Sequence, residues 1–501
     1  MNGDTVSALD DAIAGALARP ARPLGPPPSG TGLDRRRLSA LPVAAQAVAN
    51  VAPSPGMMAA SGMVAWLGVA AVPVYLLATL AMVLVGSCVA QFARRMAAAG
   101  SLYTFVAKGL TPRTAFLTGC ALLLAYLSLV GMCLLGASRR LAMLLADAGL
   151  VSVAERERTV LLLTVLLGTI LTTCVVRGIQ ISAMVTLALE AASVCVVLTA
   201  LAVTAYSGVG IDDTLAAPDL TASAVTGALM IAITGLVGFE SGCALSVETR
   251  RPYAVVPRVM FWTPAVCGAL MLAAAGLHIY GFSRHHGGSA VDGSALAGPA
   301  VAEVTPLLPV LLQLGLVSSL FACAMASANA GVRVLFSMGR EQVTPPVFGR
   351  THPRYRTPYV AAVTVIPAAV LTPAALWLAG LPIRSISTAL SVLATQGFLL
   401  TYVLVCLAMP VFLRRIGEHT RWASVAGLLG AVLLAAVFTG FWMETVRDGR
   451  AVLVAVFAGL LALGLLWFGR VRRRVPDVAI GFFDEATVED ILPGASPVRR
   501  G

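Results

Sequence analysis

Lys108 is the only lysine in this 501-residue chain, and no segment follows the pattern GxxxxGK[ST]. A P-loop needs that lysine on the nucleotide phosphates, so primary transport driven by ATP on this subunit is not expected. Charge of either sign is scarce: Asp, Glu, Lys and Arg make up 12% of the chain, against 58% hydrophobic residues and a mean hydropathy of +0.88. A soluble fold of this length has too few polar residues here to cover its exterior, so the chain reads as an all-α polytopic membrane protein. Paired cysteines are lacking too. The nine lie singly inside apolar segments with no CxxC pair and no histidine beside them, so they read as free buried thiols and no metal site or cofactor is expected. A membrane enzyme would need clustered catalytic groups, and His285 and His286 have only Asp292 near them. Residues 1–38 have no apolar h-region and include RPARPLGPPPSG, so they read as a largely disordered tail and not as a signal peptide.

What is present is a series of apolar runs separated by arginines. The net charge of +11 is spread in short clusters between these runs and not gathered on one domain, which argues for topology signals and against a nucleic-acid partner. A helix needs ~20 apolar residues to cross ~30 Å of hydrocarbon. On that basis about twelve spans begin near residues 41, 72, 113, 158, 180, 221, 256, 305, 359, 385, 422 and 451. Arginine clusters such as Arg94/Arg95, Arg250/Arg251, Arg414/Arg415 and Arg472–Arg474 fall on one side of this arrangement, and the acidic Asp212, Asp213 and Asp219 fall on the other. The asymmetry predicts a multi-pass protein of the cell membrane with both termini cytoplasmic. Arg139 and Arg140, near the outer end of the third span, are exceptions that either snorkel or line an outer vestibule.

Two spans carry interruptions in corresponding places. The first, LPVAAQAVANVAPSPGMMAASGMVAW, holds Pro53, Ser54, Pro55 and Gly56 at its middle, and prolines remove backbone donors and clash with the preceding turn. The sixth holds Gly235 and Gly238 in IAITGLVGFESG, which predicts a break between Thr234 and Phe239. Such glycines also allow two helices to pack closely. Broken spans five apart must run in opposite directions, which is the pattern of a 5+5 inverted repeat: repeat one at about 41–207, repeat two at about 221–413, and two extra helices at about 422–470. The transporter domain then spans 39–470 and a C-terminal tail 471–501.

Three segments carry a family resemblance: AAAGSLYTFVAKGLTPRTAFLTGCALLLAY (97–126), GFESGCALSVETRRPYAVVPR (238–258) and SANAGVRVLFSMGREQVTPPVFGRTHPRYRTP (327–358). They closely resemble the amino acid-polyamine-organocation transporter superfamily, in the family's order and at the right spans. The resemblance implies an amino acid permease-like secondary transporter with a LeuT-type fold and substrate held between the unwound parts of the first and sixth spans. The chain departs from the family in having Ala52–Gly56 in place of a GSGI-like turn, and Leu236 where an aromatic gate is common.

A broken helix presents N–H groups at one end and C=O groups at the other, suited to a substrate's carboxylate and ammonium. The expected substrate-binding residues are Ser54, Gly56, Thr234, Gly235, Leu236, Gly238 and Phe239. Glu190 lies mid-span in the fifth helix, where a carboxylate costs about 2.5–3.5 kcal/mol on insertion scales. It reads either as a coupling group that carries a proton or as a neutral acid bonded to a neighbouring helix. Glu240 is a second coupling candidate, which orients the unwound backbone or meets a basic substrate. Glu248, beside Arg250 and Arg251, reads as an inner-gate ion-pair partner or as a solvated charge. Ser327 and Asn329 suit a cation site or packing, and Gln46, Asn50, His278 and Gln396 read as satisfied polar residues. The expected function is uptake of amino acids or amines, with protons ahead of sodium as the coupling ion. An exchanger at the same site is the nearest alternative and a transporter-like nutrient sensor a more distant one. If the topology holds, cysteines at Ser496 and Ser289, in a background without the native nine, will react with an impermeant reagent from opposite sides of the membrane. Labelling of both from outside would overturn it.

Overall fold

The computed structural model describes residue 33 and residues 36–149, 157–206, 221–282, 307–475 and 480–481. The expected tails at 1–32 and 482–501, and the loop residues Asp212, Asp213, Asp219, His285, His286 and Asp292, lie outside the described residues. The described chain is helical, with one isolated parallel bridge between Leu38 and Thr249. Eleven helices among the described residues are long and apolar enough to cross a membrane. The predicted first span is not one of them because it is divided, into α1 (Ala40–Val51) and α2 (Pro53–Leu67).

In chain order there follow α3 (Ala71–Ala93), the short α4 (Leu102–Gly109), α5 (Pro112–Asp147), α6 (Glu157–Arg177) and α7 (Ile179–Tyr206). The predicted sixth span is α8 (Ala222–Thr234), a turn and the 3₁₀ helix Phe239–Glu248. The rest are α9 (Pro252–Phe282), α10 (Leu307–Arg340), α11 (Tyr359–Leu378), α12 (Ile383–Arg415), α13 (Arg421–Arg447) and α14 (Ala451–Arg474). Local sequence starts several of them. Thr111 and Thr114 form a capping box on α5 with Pro112 in the first turn, and Thr221 and Thr420 each accept an N–H three residues on.

α5 and α10 pack most extensively on each other, α5 also on α12, and α3 on α9. Close approach is secured at Gly397 of α12, where a Cβ would stand 2.5 Å from the Ala121 carbonyl oxygen of α5. Side-chain hydroxyls bond carbonyls within the helices, as Thr79 does to Tyr75 and Thr401 to Gly397, so these polar groups carry their own partners into the apolar bundle. The cysteines are free, but Cys195 is exposed and Cys120 and Cys174 are only partly covered. Cys120 and Cys174 still pack against the core, so only Cys195 departs from a buried thiol, which the apolar sequence around it did not distinguish.

Residues inside the expected tails 1–38 and 471–501 are fastened to one end of the bundle, and the last helix runs on to Arg474. Arg37 and Leu38 N–H donate to the Glu248 carbonyl at 2.7 and 2.8 Å, and Arg250 N–H donates to the Leu38 carbonyl at 2.9 Å. Arg36 stacks over the Tyr253 ring at 5.6 Å. After α14, Gly481 N–H donates to Glu341 Oε1 at 2.7 Å, while the Tyr103 hydroxyl bonds Glu341 Oε2. At the opposite end Arg140 bonds Gln313 at 2.9 Å, and Arg139, Glu157 and Arg384 border a cavity of about 330 Å³, so only Arg139 fits the vestibule expectation.

Candidate functional site

The first break occupies a single residue. Ala52 takes the left-handed conformation (φ 51°, ψ 66°), and Pro53 begins α2, where its missing N–H is no loss. Pro53–Gly56 is therefore the first turn of the second half-helix and not an unwound segment. The second break is longer. α8 ends at Thr234, residues 235–238 form turns, and Gly238 has φ +95°, which L side chains adopt only under strain. The chain resumes as a ten-residue 3₁₀ helix from Phe239 to Glu248, unusually long for that geometry.

Polar side chains take up the backbone groups freed at these breaks. Asn50 Nδ2 donates to the Gly238 carbonyl at 2.8 Å, and the Ser327 hydroxyl bonds Asn50 Oδ1. Gln46 Nε2 donates to the Ala326 carbonyl at 2.6 Å, and Ser241 donates to the Gln46 carbonyl at 3.2 Å. Gly238 N–H donates to the Tyr402 hydroxyl at 2.9 Å. The Tyr402 hydroxyl in turn bonds Glu240 Oε2, and the Tyr126 hydroxyl donates to Glu240 Oε1 at 2.7 Å. Both oxygens of Glu240, fully buried, are thus closed by tyrosines of α5 and α12. This is the backbone-orienting arrangement, with no oxygen turned to a substrate.

Glu190 differs. It is 2% exposed; Oε1 accepts from Ser54 at 3.2 Å, and Oε2 has no hydrogen-bond partner among the described residues. The Ser319 hydroxyl of α10 lies within reach of this carboxylate, and Ser193 follows one turn along α7, its hydroxyl buried with no partner among the described residues. An expected substrate residue of α2 and an expected coupling residue of α7 are therefore in direct contact.

The other expected residues divide into two groups. Leu236, Gly238 and Phe239 are buried, and Phe239 packs against Tyr402 with ring centroids 5.8 Å apart. Gly56, Thr234 and Gly235 remain partly accessible, and Thr234 Oγ1 lies 3.2 Å from Thr395 Oγ1. Glu248 pairs with Arg333 of α10 at 2.7 Å and not with the adjacent Arg250 or Arg251. The two side chains are 6% and 3% exposed, so this is a buried ion pair and the solvated-charge reading is wrong. Ser327 is committed to Asn50, as a packing role requires. His278 contacts the Met57 carbonyl at 3.2 Å, but neither amide atom of Gln396 has a partner, contrary to expectation. Gln396 shares a helix face with Leu393 and Leu400, which pack in an apolar cluster, and such a face offers it nothing polar. Among the described residues no group of three or more His, Cys, Asp or Glu side chains is placed to hold a metal.

Sequence reasoning missed Arg333, Tyr126 and Tyr402. Each was visible as an isolated polar or charged residue in an apolar run: ANAGVRVLF, ALLLAY and GFLLTYVLV.

The family model described as Amino acid permease matches residues 43–467. The chain belongs to the amino acid permease family. Over 357 residues it is 27% identical to the low-affinity putrescine importer PlaP of Escherichia coli strain K12, covering 67% of this chain and 74% of the importer. It is 31% identical over 142 residues to the uncharacterized transporter R00093 of Rhizobium meliloti strain 1021. That match spans 27% of this chain and only 29% of the relative. Among solved structures, a point mutant of the Eremococcus coleocola manganese transporter superposes with a TM-score of 0.57 at 15% identity, covering 87% of this chain and 94% of that one. The shared fold is that of a multi-pass membrane transporter, and the family's members are transporters and not enzymes.

The buried pair gives a direct test. Arg333→Met leaves the Glu248 carboxylate buried without its guanidinium, a change that costs about 3–5 kcal/mol. Melting in detergent should fall sharply for Arg333→Met and recover in the double variant Arg333→Met/Glu248→Met. A single variant that melts like wild type would contradict the pair's structural role.

Proposed function

We propose that this permease is a secondary active transporter that imports amino acids or related amines across the cytoplasmic membrane, driven by protons. Its relative PlaP is described as a putrescine importer, which supports an amine or amino acid as substrate. In this reading the helices form two inverted five-helix units of the LeuT type, and substrate binds where α1 meets α2 and where α8 ends. Half-helix N-termini there favour a carboxylate and freed carbonyls an ammonium. Ser54, Gly56, Thr234, Gly235 and Gly238 supply the site, and Leu236 and Phe239 its apolar wall.

The observation that carries the coupling assignment is the setting of Glu190, a buried carboxylate met by serines and paired with no cation among the described residues. A buried carboxylate without a cation is costly, and a proton removes its charge while a serine hydroxyl such as Ser319 can accept from the new O–H. Glu190 Oε1 touches Ser54, so proton occupancy is felt directly at the substrate helix. Glu240, already satisfied by two tyrosines, suits a fixed role. The Glu248–Arg333 pair and the Arg36–Leu38 segment bonded to the same 3₁₀ helix suit a closed inner gate at the cytoplasmic end.

Proteoliposomes loaded with a panel of amino acids and amines, under an imposed proton or sodium gradient, test the function. Wild type should accumulate at least one member of the panel with the proton gradient. Glu190→Gln keeps shape and hydrogen bonding but removes titration, so exchange should persist while proton-driven accumulation and its pH dependence disappear together. Accumulation by Glu190→Gln with the wild-type pH profile would move coupling elsewhere.

A further inference from the structure

One side chain fills the space between the two breaks. Met271 of α9 is fully buried; its terminal atoms occupy the place a side chain on Gly56 would enter and come within van der Waals distance of one on Gly235. A Cβ on Gly56 would stand 2.3 Å from Met271 Cε, and one on Gly235 would stand 3.5 Å from it. At Gly56 the three nearest atoms all belong to Met271. The other face of the breaks is built differently. There a Cβ on Gly238 would meet the Asn50 amide, which hydrogen bonds hold in place, and Tyr402 and Tyr126 are tied to Glu240.

Accessibility follows the same division. Gly56 and Gly235, on the Met271 side, are partly accessible, whereas Leu236–Glu240 are buried. Opening the hydrogen-bonded face would strand polar groups that these bonds now satisfy. Opening the Met271 face needs only a change of rotamer in an unbranched thioether with three rotatable bonds.

We propose that Met271 is the specificity-determining residue of the transport site: a withdrawable filling whose retreat opens the space between Gly56 and Gly235. The length of this side chain then sets how long an aliphatic chain the substrate brings into that space. The proposal rests on the substrate site lying between the breaks, as argued above.

The test is competition by linear α,ω-diamines of three to eight carbons and by straight-chain amino acids, against the tracer that wild type accumulates best. Met271→Ala removes three heavy atoms, so inhibition by longer competitors should strengthen by about fourfold per added methylene, corresponding to ~0.8 kcal/mol. Met271→Phe should shift the preference toward shorter ones, and Met271→Leu should keep the wild-type ranking. Gel filtration in detergent checks folding, and if Met271→Ala does not fold, the ranking of Met271→Phe against Met271→Leu decides. An unchanged ranking in variants that still transport, even with altered maximal rates, overturns the proposal. A wild type that accumulates no member of either series overturns the proposed function, and this proposal with it.

Discussion

Interrupting an apolar helix inside hydrocarbon frees backbone N–H and C=O groups that have no water to turn to, and the rest of this structure follows from where those groups find partners. At the Ala52 break the cost is small, because one left-handed residue separates two helices and a proline opens the second. The second break frees more, and there the partners come from three other helices: Asn50 of α1, Tyr402 of α12 and, through Glu240, Tyr126 of α5. Asn50 also engages Ser327 of α10, so one amide joins both broken regions to a helix that runs the length of the bundle.

The buried carboxylates divide the work. Both oxygens of Glu240 are hydrogen-bonded by tyrosines, one of which also accepts from the Gly238 N–H. Glu248 is neutralised by Arg333, and its carbonyl also receives two N–H groups from the segment before α1. Glu190 has neither a tyrosine nor an arginine partner among the described residues and lies against the serines Ser54 and Ser319. A buried carboxylate that only hydroxyls meet is costly to keep charged, which is why the proposed proton coupling is assigned to Glu190.

Much of this was legible in the sequence, since a membrane limits the choices. Composition fixed the class, the spacing of apolar runs matched eleven helices, and glycines at 235 and 238 located the second break. Prolines located the first break less well: Pro53 and Pro55 read as its centre, but a proline in the first turn of a helix is well tolerated, and the break fell on Ala52. The partners of the buried charges were not legible. Adjacency in sequence favoured Arg250 for Glu248, whereas α10 brings Arg333 to it across 85 residues. Met271 gave no signal at all, because a methionine in an apolar run looks the same whether it packs against lipid or against two glycines.

Substrate occupancy of the space between the breaks is tested most directly by the rate at which a membrane-permeant maleimide labels Gly235→Cys in a background without the native cysteines, with Gly449→Cys as the control. Gly235 is partly accessible and its Cβ would meet only ordinary contacts, so the probe fits the site without forcing it. A transported amine or amino acid should slow labelling at Gly235→Cys in proportion to its occupancy and leave Gly449→Cys unchanged. Equal labelling rates at Gly235→Cys with and without saturating substrate would contradict a site between the breaks.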